Sequence, residues 1–170
     1  MSLANQPLYK GGQVVGTVNE YILIYICEEV RRQGHDLSKA DDGIERVFGM
    51  RSAWEWALDR QDSLATVDDV LYMGARIERR NQDGFRVHPV MIAGHRKAQP
   101  KEQLTSDVAA LLARWNDLEP LDLYRQFEEI HPFQDGNGRL GKILLNWRAG
   151  TLPVPFFPPL DFWGRKIQNP

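Results

Sequence analysis

A short stretch in the second half of the chain concentrates residue types that do chemistry. Residues 131–139 read His-Pro-Phe-Gln-Asp-Gly-Asn-Gly-Arg, which places an imidazole, a carboxylate, two glycines around an asparagine and a guanidinium close together. An imidazole takes up a proton near neutral pH, so His131 is the candidate general base. A lone histidine after a helix can also serve only as a partner of the helix dipole, but these neighbours favour the catalytic interpretation.

The spacing of apolar residues predicts that this stretch joins two helices. Apolar residues recur at helical intervals on both sides of it, so residues 121–150 are predicted to form a helix-loop-helix unit. Gly136, Asn137 and Gly138 can curl their amides inward ahead of the second helix, whose positive end attracts phosphate. These three residues are therefore the candidate phosphate site.

Two charged side chains flank that site. Asp135 offers hard carboxylate oxygens beside a phosphate, which suits Mg²⁺, although capping of the second helix is the alternative role. Arg139 in the first helical turn opposes the helix dipole unless it binds an anion, so a phosphate contact is predicted for it. Pro132 and Phe133 are interpreted as structural, with the ring anchoring the loop in the core.

Length and composition restrict the class of protein. The length of 170 residues fits one domain. The net charge of −2 excludes the broad basic surface that a protein needs to bind duplex nucleic acid as its main partner. The single cysteine, Cys27, excludes an internal disulfide and fits a reducing compartment. Neither a secretory leader nor a membrane-length apolar run is evident, so we expect a cytoplasmic protein without a membrane partner.

The rest of the chain predicts a mainly α-helical fold. Helices are expected over about 17–33, across 38–62, after Thr66 and from Thr105 or Ser106. One strand-like segment, residues 85–93, contains a proline and is expected to form an edge or a short hairpin arm that packs over a site. Residues 1–16 form a lead, and residues 151–170 form a tail rich in proline and aromatic residues.

The motif at 131–139, continued by Leu140-Gly141-Lys142, resembles the signature of Fic domain proteins, His-x-Phe-x-Asp/Glu-Gly-Asn-Gly-Arg-x-x-Arg. The resemblance extends more weakly upstream, where Gly84-Phe85-Arg86 and Val90-Met91-Ile92 are similar to the flap of that family, and it covers roughly the second half of the chain. It implies a single Fic-like helical domain over 1–170, with one β-hairpin flap over the active site.

The resemblance also implies an activity, the transfer of AMP from Mg-ATP to a Ser, Thr or Tyr hydroxyl of a target protein. In that interpretation His131 deprotonates the hydroxyl, Asp135 holds Mg²⁺, the amides of Gly136, Asn137 and Gly138 stabilise phosphate charge, and Arg139 orients the outer phosphates. The flap would bind the target by adding its extended segment to a strand edge. The candidate flap residues are Phe85, Arg86, Val87, His88, Val90, Met91 and Ile92.

The sequence departs from the family pattern at the second arginine, which is Lys142. A lysine keeps the charge but loses the planar fork of arginine, so we expect weaker control of the triphosphate tail. The identity of the donor therefore stays open. A self-inhibitory family motif is matched loosely by residues 38–43, with Asp42 as the candidate partner of Lys142. The alternative is that Asp42 belongs to a turn or helix cap, with regulation coming from a small antitoxin-like partner.

Other functions stay open at this point. The same loop would suit transfer of UMP, phosphate or phosphocholine, or removal of AMP from a modified protein. A non-catalytic nucleotide-binding or interaction domain is a further alternative. The sequence leaves open the target protein, the adenine pocket and whether the chain forms a homo-oligomer.

Overall fold

The computed structural model describes residues 9–10, 13–14, 17–92 and 94–159, and this part of the chain is mainly helical. The fold class agrees with the prediction from sequence. The α-helices are α1 (Glu20–Arg32), α2 (Glu45–Asp59), α3 (Val67–Ile77), α4 (Lys101–Ala113), α5 (Pro120–Ile130) and α6 (Asn137–Ala149). A π-helical turn, Ala40–Ile44, precedes α2, and a 3-10 turn, Arg79–Asn81, follows α3.

Two short antiparallel hairpins accompany the helices. Strands β1 (Tyr9–Lys10) and β2 (Gln13–Val14) pair within the predicted lead, whose other residues lie outside the described part. Strands β3 (Val90–Ile92) and β4 (His95–Lys97) pair with Met91 opposite Arg96. The second hairpin lies between α3 and α4 in the chain, where the sequence predicts the flap.

The helix boundaries show which local patterns decide them. The Thr66 side chain accepts from the Asp69 amide and the Asp69 side chain accepts from the Thr66 amide, a capping box that starts α3 as predicted. Helix α4 begins at Lys101, earlier than the predicted Thr105 or Ser106. Pro100 is its N-cap residue, a position that suits proline because it lies outside the helix interior. The Thr105 hydroxyl donates to the Lys101 carbonyl within that helix.

Helix α6 lies at the centre of the fold. It packs against α2, α3 and α5, and every residue from Asn137 to Trp147 except Gly138 is buried. A helix that is buried on all sides is held from every direction. Because α6 begins directly after the 131–136 loop, this packing fixes where the loop stands.

The beginning of the predicted tail packs onto the helices. The Trp54 indole N–H donates to the Leu152 carbonyl at 3.1 Å, and Phe157 stacks on Tyr25 with ring centroids 4.0 Å apart. The Arg32 guanidinium lies over the Phe157 ring. Residues 160–170 lie outside the described part of the chain. None of the helices in the described part is long and apolar enough to span a bilayer.

Candidate active site

The predicted loop joins α5 to α6, and its geometry begins with an unusual backbone at His131. This residue ends α5 in the left-handed region, with φ 50° and ψ 61°, and is the one non-glycine residue with positive φ in the described part. Left-handed backbone is strained for a residue with a Cβ, so surrounding contacts must hold it. The turn directs the chain from α5 towards the start of α6.

Phe133 anchors the loop in the core, as the sequence predicts. Its side chain is fully buried and packs edge-on against Phe85, with ring centroids 5.2 Å apart. Gly74 of α3 makes room for the ring, because a Cβ at that position would lie 2.3 Å from Phe133 Cζ. The buried Asn137 side chain accepts from the Phe133 amide and donates to its carbonyl, both at 2.9 Å. Asn137 therefore contributes its side chain to the loop and only its backbone to any phosphate.

Two side chains outside the motif also hold the loop. The buried Asn81 side chain donates to the carbonyl of Asp135 at 2.9 Å, and Arg86 Nε donates to the carbonyl of His131 at 2.8 Å. The Arg86 amide donates to the Pro132 carbonyl at 2.9 Å. Sequence reasoning missed both supporting roles, because neither residue has a distinctive spacing relative to the motif.

The imidazole of His131 is set up to remain neutral. Nδ1 lies 3.2 Å from the Glu128 carbonyl oxygen, so the tautomer with the proton on Nδ1 leaves the Nε2 lone pair available. Burial lowers the pKa of His131, an effect to which the charges of Arg86 and Lys97 add, while the Glu128 carbonyl and Asp135 oppose it. A neutral imidazole at neutral pH is the form that accepts a proton.

Asp135 is the half-exposed acid of the loop. Its Oδ1 accepts from the Gly136 amide at 2.6 Å and lies 3.6 Å from Arg139 Nη2. A single accessible carboxylate beside a phosphate-binding loop fits Mg²⁺, which commonly takes one or two protein carboxylates and completes its shell with phosphates and water. The donor type is thus compatible with the predicted metal role. The Gly136 amide, by contrast, is already engaged by Asp135.

The N-terminus of α6 has the features of an anion site. Gly136 is its N-cap residue with φ 81°, and no side chain caps the helix. The first amides of a helix have no partner within the helix, and here the dipole adds positive potential at the same end. A Cβ at Gly136 would lie 2.8 Å from Ile77, so glycine is required there by space as well as by φ.

Arg139, for which a phosphate contact is predicted, is engaged by groups of the chain itself. The side chain is fully buried, donating to the Ile77 carbonyl at 3.1 Å and pairing with Glu78 Oε2 at 3.3 Å. Arg46 also pairs with the same Glu78 oxygen. The anion that offsets this first-turn cation is therefore a carboxylate of the chain, which sequence reasoning did not find.

Lys142 is paired with Glu29 and not with its candidate partner Asp42. Lys142 Nζ lies 2.8 Å from Glu29 Oε1, and the Glu29 carboxylate raises the pKa of the Lys142 ammonium against the effect of burial. Asp42 lies in the π-helical turn, where it accepts from the Asp36 amide and contacts His35. The alternative interpretation of Asp42 as a turn residue is the one that agrees with the structure.

The hairpin occupies residues 90–97, so the flap predicted over 85–93 starts too early. Phe85 and Arg86 are buried before it in the chain and contact the loop. Val87, His88 and Met91 are exposed, whereas Val90 and Ile92 point inward. Ala93 lies outside the described residues. Three of the seven predicted flap residues are thus placed where a partner can reach them.

The fold and the loop define a helical protein with a histidine beside an uncapped helix terminus, and the comparisons place it in a known family. The sequence profile of the Fic/DOC family matches residues 64–149, about half of the chain. This stretch runs from just before α3 to the end of α6 and includes the hairpin and the loop. The chain belongs to the Fic/DOC family.

Individual relatives are distant. A probable protein adenylyltransferase of Aquifex aeolicus is 32% identical over 71 residues, which cover 37% of this chain and 22% of that protein. A Fido domain-containing protein of Dictyostelium discoideum is 31% identical over 89 residues, covering 46% of this chain and 62% of that protein. The chain thus spans 22% and 62% of the lengths of these curated relatives.

A solved structure supports the fold. Fic-1 from C. elegans superposes with a TM-score of 0.53 at 19% identity, covering 79% of this chain and 48% of that chain. At this identity the likeness shows the shared Fic fold alone.

Proposed function

We propose that the chain transfers AMP from Mg-ATP to a Ser, Thr or Tyr hydroxyl of a target protein. The observation that carries the proposal is the position of the half-buried His131 imidazole, with Nδ1 facing the Glu128 carbonyl, just ahead of the uncapped N-terminus of α6. A base and an anion site in immediate succession suit attack of a hydroxyl on phosphorus. Membership of the Fic/DOC family, with a relative named a probable protein adenylyltransferase, supports the same reaction.

In the proposed reaction His131 Nε2 takes the proton of the target hydroxyl as its oxygen attacks the α-phosphorus of ATP. A new oxygen–phosphorus bond forms, the bond from the α-phosphorus to the bridging oxygen breaks, and pyrophosphate leaves. The first amides of α6, at Asn137 and Gly138, would stabilise charge on the phosphate oxygens. Asp135 would hold Mg²⁺, whose chemistry is to neutralise phosphate charge.

The hairpin is the proposed contact for the target. A strand of three residues leaves backbone N–H and C=O groups on its outer edge, to which an extended segment of the target can add. Val87, His88 and Met91 are exposed beside it and would contact side chains of that segment. The same proposal includes a target protein that carries the modified hydroxyl and a cytoplasmic location for the reaction.

The Lys142–Glu29 pair affects how the chain would bind the phosphates of the donor nucleotide. If Lys142 binds the outer phosphates of ATP, its ammonium must first leave Glu29, with which it is paired in this structure. Glu29 would then limit nucleotide binding from within the chain, a role that a separate antitoxin-like partner would otherwise fill.

The proposal is tested by incubating the protein with Mg²⁺ and ATP labelled at either the α or the γ position, with a cell extract as the source of targets. We expect protein labelling from the α position only, and we expect His131→Ala to abolish it. Labelling from the γ position would instead show phosphate transfer. Thermal stabilisation by ATP with no labelling at all would show a nucleotide-binding domain and overturn the proposal.

A further inference from the structure

Arg86 is a buried guanidinium that touches both the histidine turn and the hairpin. Its Nε donates to the His131 carbonyl at 2.8 Å, and its Nη2 donates to Gln99 Oε1 at 3.0 Å. Nη1 makes two longer contacts, to the carbonyl of Lys97 at 3.3 Å and that of His88 at 3.4 Å. These acceptors are all neutral, so the arrangement orients backbone groups and does not form an ion pair.

The contact with His131 acts where the backbone is strained. His131 has φ 50°, a left-handed conformation that is strained for a residue with a side chain. Arg86 fixes the peptide that follows this residue through Nε, and its own amide donates to the next carbonyl, that of Pro132. Arg86 therefore grips two successive carbonyls of the histidine turn.

The contacts with the hairpin act on an element that is weak by itself. Strands β3 and β4 have three residues each, and a two-stranded hairpin of this size is marginal in water. His88 lies just before β3 and Lys97 ends β4, so one guanidinium contacts both arms of the hairpin. Gln99 extends the same contact into the segment leading to α4.

We propose that Arg86 is a positioning residue that couples the hairpin to His131, so that the element proposed to hold the target and the base move as one unit. The inference rests on the proposed function for its catalytic meaning, whereas the mechanical coupling is independent of it. Because misplacement of reacting groups by about 1 Å can cost a hundredfold in rate, a shared anchor keeps the hydroxyl within reach of the imidazole. A residue that only stabilised the fold would not link these two elements specifically.

The test uses the full chain in three variants: Arg86→Met, Arg86→Lys and the control Arg148→Met. Arg148 also donates from its guanidinium to backbone carbonyls, those of Trp115 and Asn116, at a place away from the loop. Hydrogen exchange of the amides of residues 90–97 reports on the hairpin, and an NMR titration of the imidazole reports on His131. Amides in the second half of α6 verify that each variant is folded.

We expect Arg86→Met to accelerate hairpin exchange about tenfold or more and to raise the pKa of His131, with α6 protection retained. Arg148→Met should change neither quantity. Arg86→Lys should return the pKa of His131 part of the way to its wild-type value but leave amide exchange in the hairpin fast, because an ammonium cannot reach all four acceptors. If Arg86→Met does not fold, the same two readouts in Arg86→Lys decide the matter. A change in the hairpin without a change at His131, or the reverse, overturns the coupling, as does no change in either.

Kinetics separate this inference from the proposed function. If the wild-type protein transfers AMP, Arg86→Met should lower kcat at least about tenfold and raise KM for the target, with KM for ATP unchanged. An equal rise in the KM for ATP and in the KM for the target would indicate general damage to the site and contradict a positioning role. If the wild-type protein transfers nothing, the proposed function fails, while hydrogen exchange and the His131 titration still decide whether Arg86 couples the two elements.

Discussion

The ammonium of Lys142 and the carboxylate of Glu29 lie 2.8 Å apart, and both side chains are buried between the first and last helices. Gln33 donates to the same Glu29 oxygen at 2.6 Å, which holds the carboxylate in place. Lys142 is one turn beyond the N-terminus of α6, close to where the phosphates of a nucleotide would lie. The pair thus engages the cation that, under the proposed function, would serve the outer phosphates.

Replacing Glu29 with glutamine should strengthen binding of Mg-ATP. The substitution keeps the volume but removes the charge that engages Lys142, so we expect about a tenfold lower Kd, equivalent to about 1.4 kcal/mol. The same change should lower Tm, because it leaves a buried cation with a weaker partner. Isothermal titration with Mg-ATP measures the affinity separately from this loss of stability.

Glu28→Gln is the matched control for that experiment. Glu28 precedes Glu29 on α1 and pairs with Arg31 and Arg32 nearer the surface. Its loss should leave the Kd for ATP unchanged. If Glu29→Gln and Glu28→Gln bind ATP equally well, Lys142 does not serve the nucleotide and the interpretation is wrong.

The depressed pKa of His131 predicts the acid limb of the pH profile, the range in which kcat/KM decreases as pH falls. Burial favours the neutral imidazole, so kcat/KM should fall only below the value of 6.5 that is usual for a free histidine. Because protonation of His131 is harder in the folded state, the free energy of unfolding should decrease as pH falls below about 6.5 and should not depend on this group above that pH. His131→Asn should lower the rate at least about a hundredfold and remove the limb. An acid limb above 6.5 would contradict a base in this environment.

Asp135→Asn should remove the effect of Mg²⁺ on nucleotide binding. The amide keeps an oxygen that can accept from Gly136 but loses the charge that favours a divalent cation. We therefore expect the affinity for ATP in Mg²⁺ to drop about tenfold, to that measured with a chelator. Gln134→Ala, at the exposed neighbouring position, should leave the dependence on Mg²⁺ intact. A dependence that survives Asp135→Asn would mean that the ion binds elsewhere.

The sequence predicts the parts of the site that depend on local chain geometry. The loop between two helices, the buried Phe133 and the capping box at Thr66 all follow from residues within a few positions of each other. A helix period, a cap and a turn are local properties, which is why they can be predicted from local pattern.

The partners of the charged residues could not be predicted in this way. Glu78 is 61 positions from Arg139, and Glu29 is 113 positions from Lys142. These pairs form because α6 is packed among the other helices, and no local spacing specifies which carboxylate reaches it. The same limit explains the flap boundary: Phe85 continues an apolar pattern towards the strand, but tertiary packing places its ring on Phe133.

Glu128→Gln should stabilise the protein in a manner that depends on pH. The side chain is buried against α6, its Oε1 has no hydrogen-bond partner in the described part, and burial raises the pKa of Glu128 from 4.5 to about 7. Since the unfolded chain releases this proton more readily, the acid lowers stability progressively between pH 4.5 and 7 and by a constant amount above 7. At pH 8 the amide should therefore raise the free energy of unfolding by about 2 kcal/mol and Tm by several degrees, with little effect at pH 4.5. Glu129→Gln changes the exposed neighbour and should remain within about 0.5 kcal/mol at both pH values. A gain for Glu128→Gln that is equal at both pH values would show that packing, and not the buried charge, is responsible.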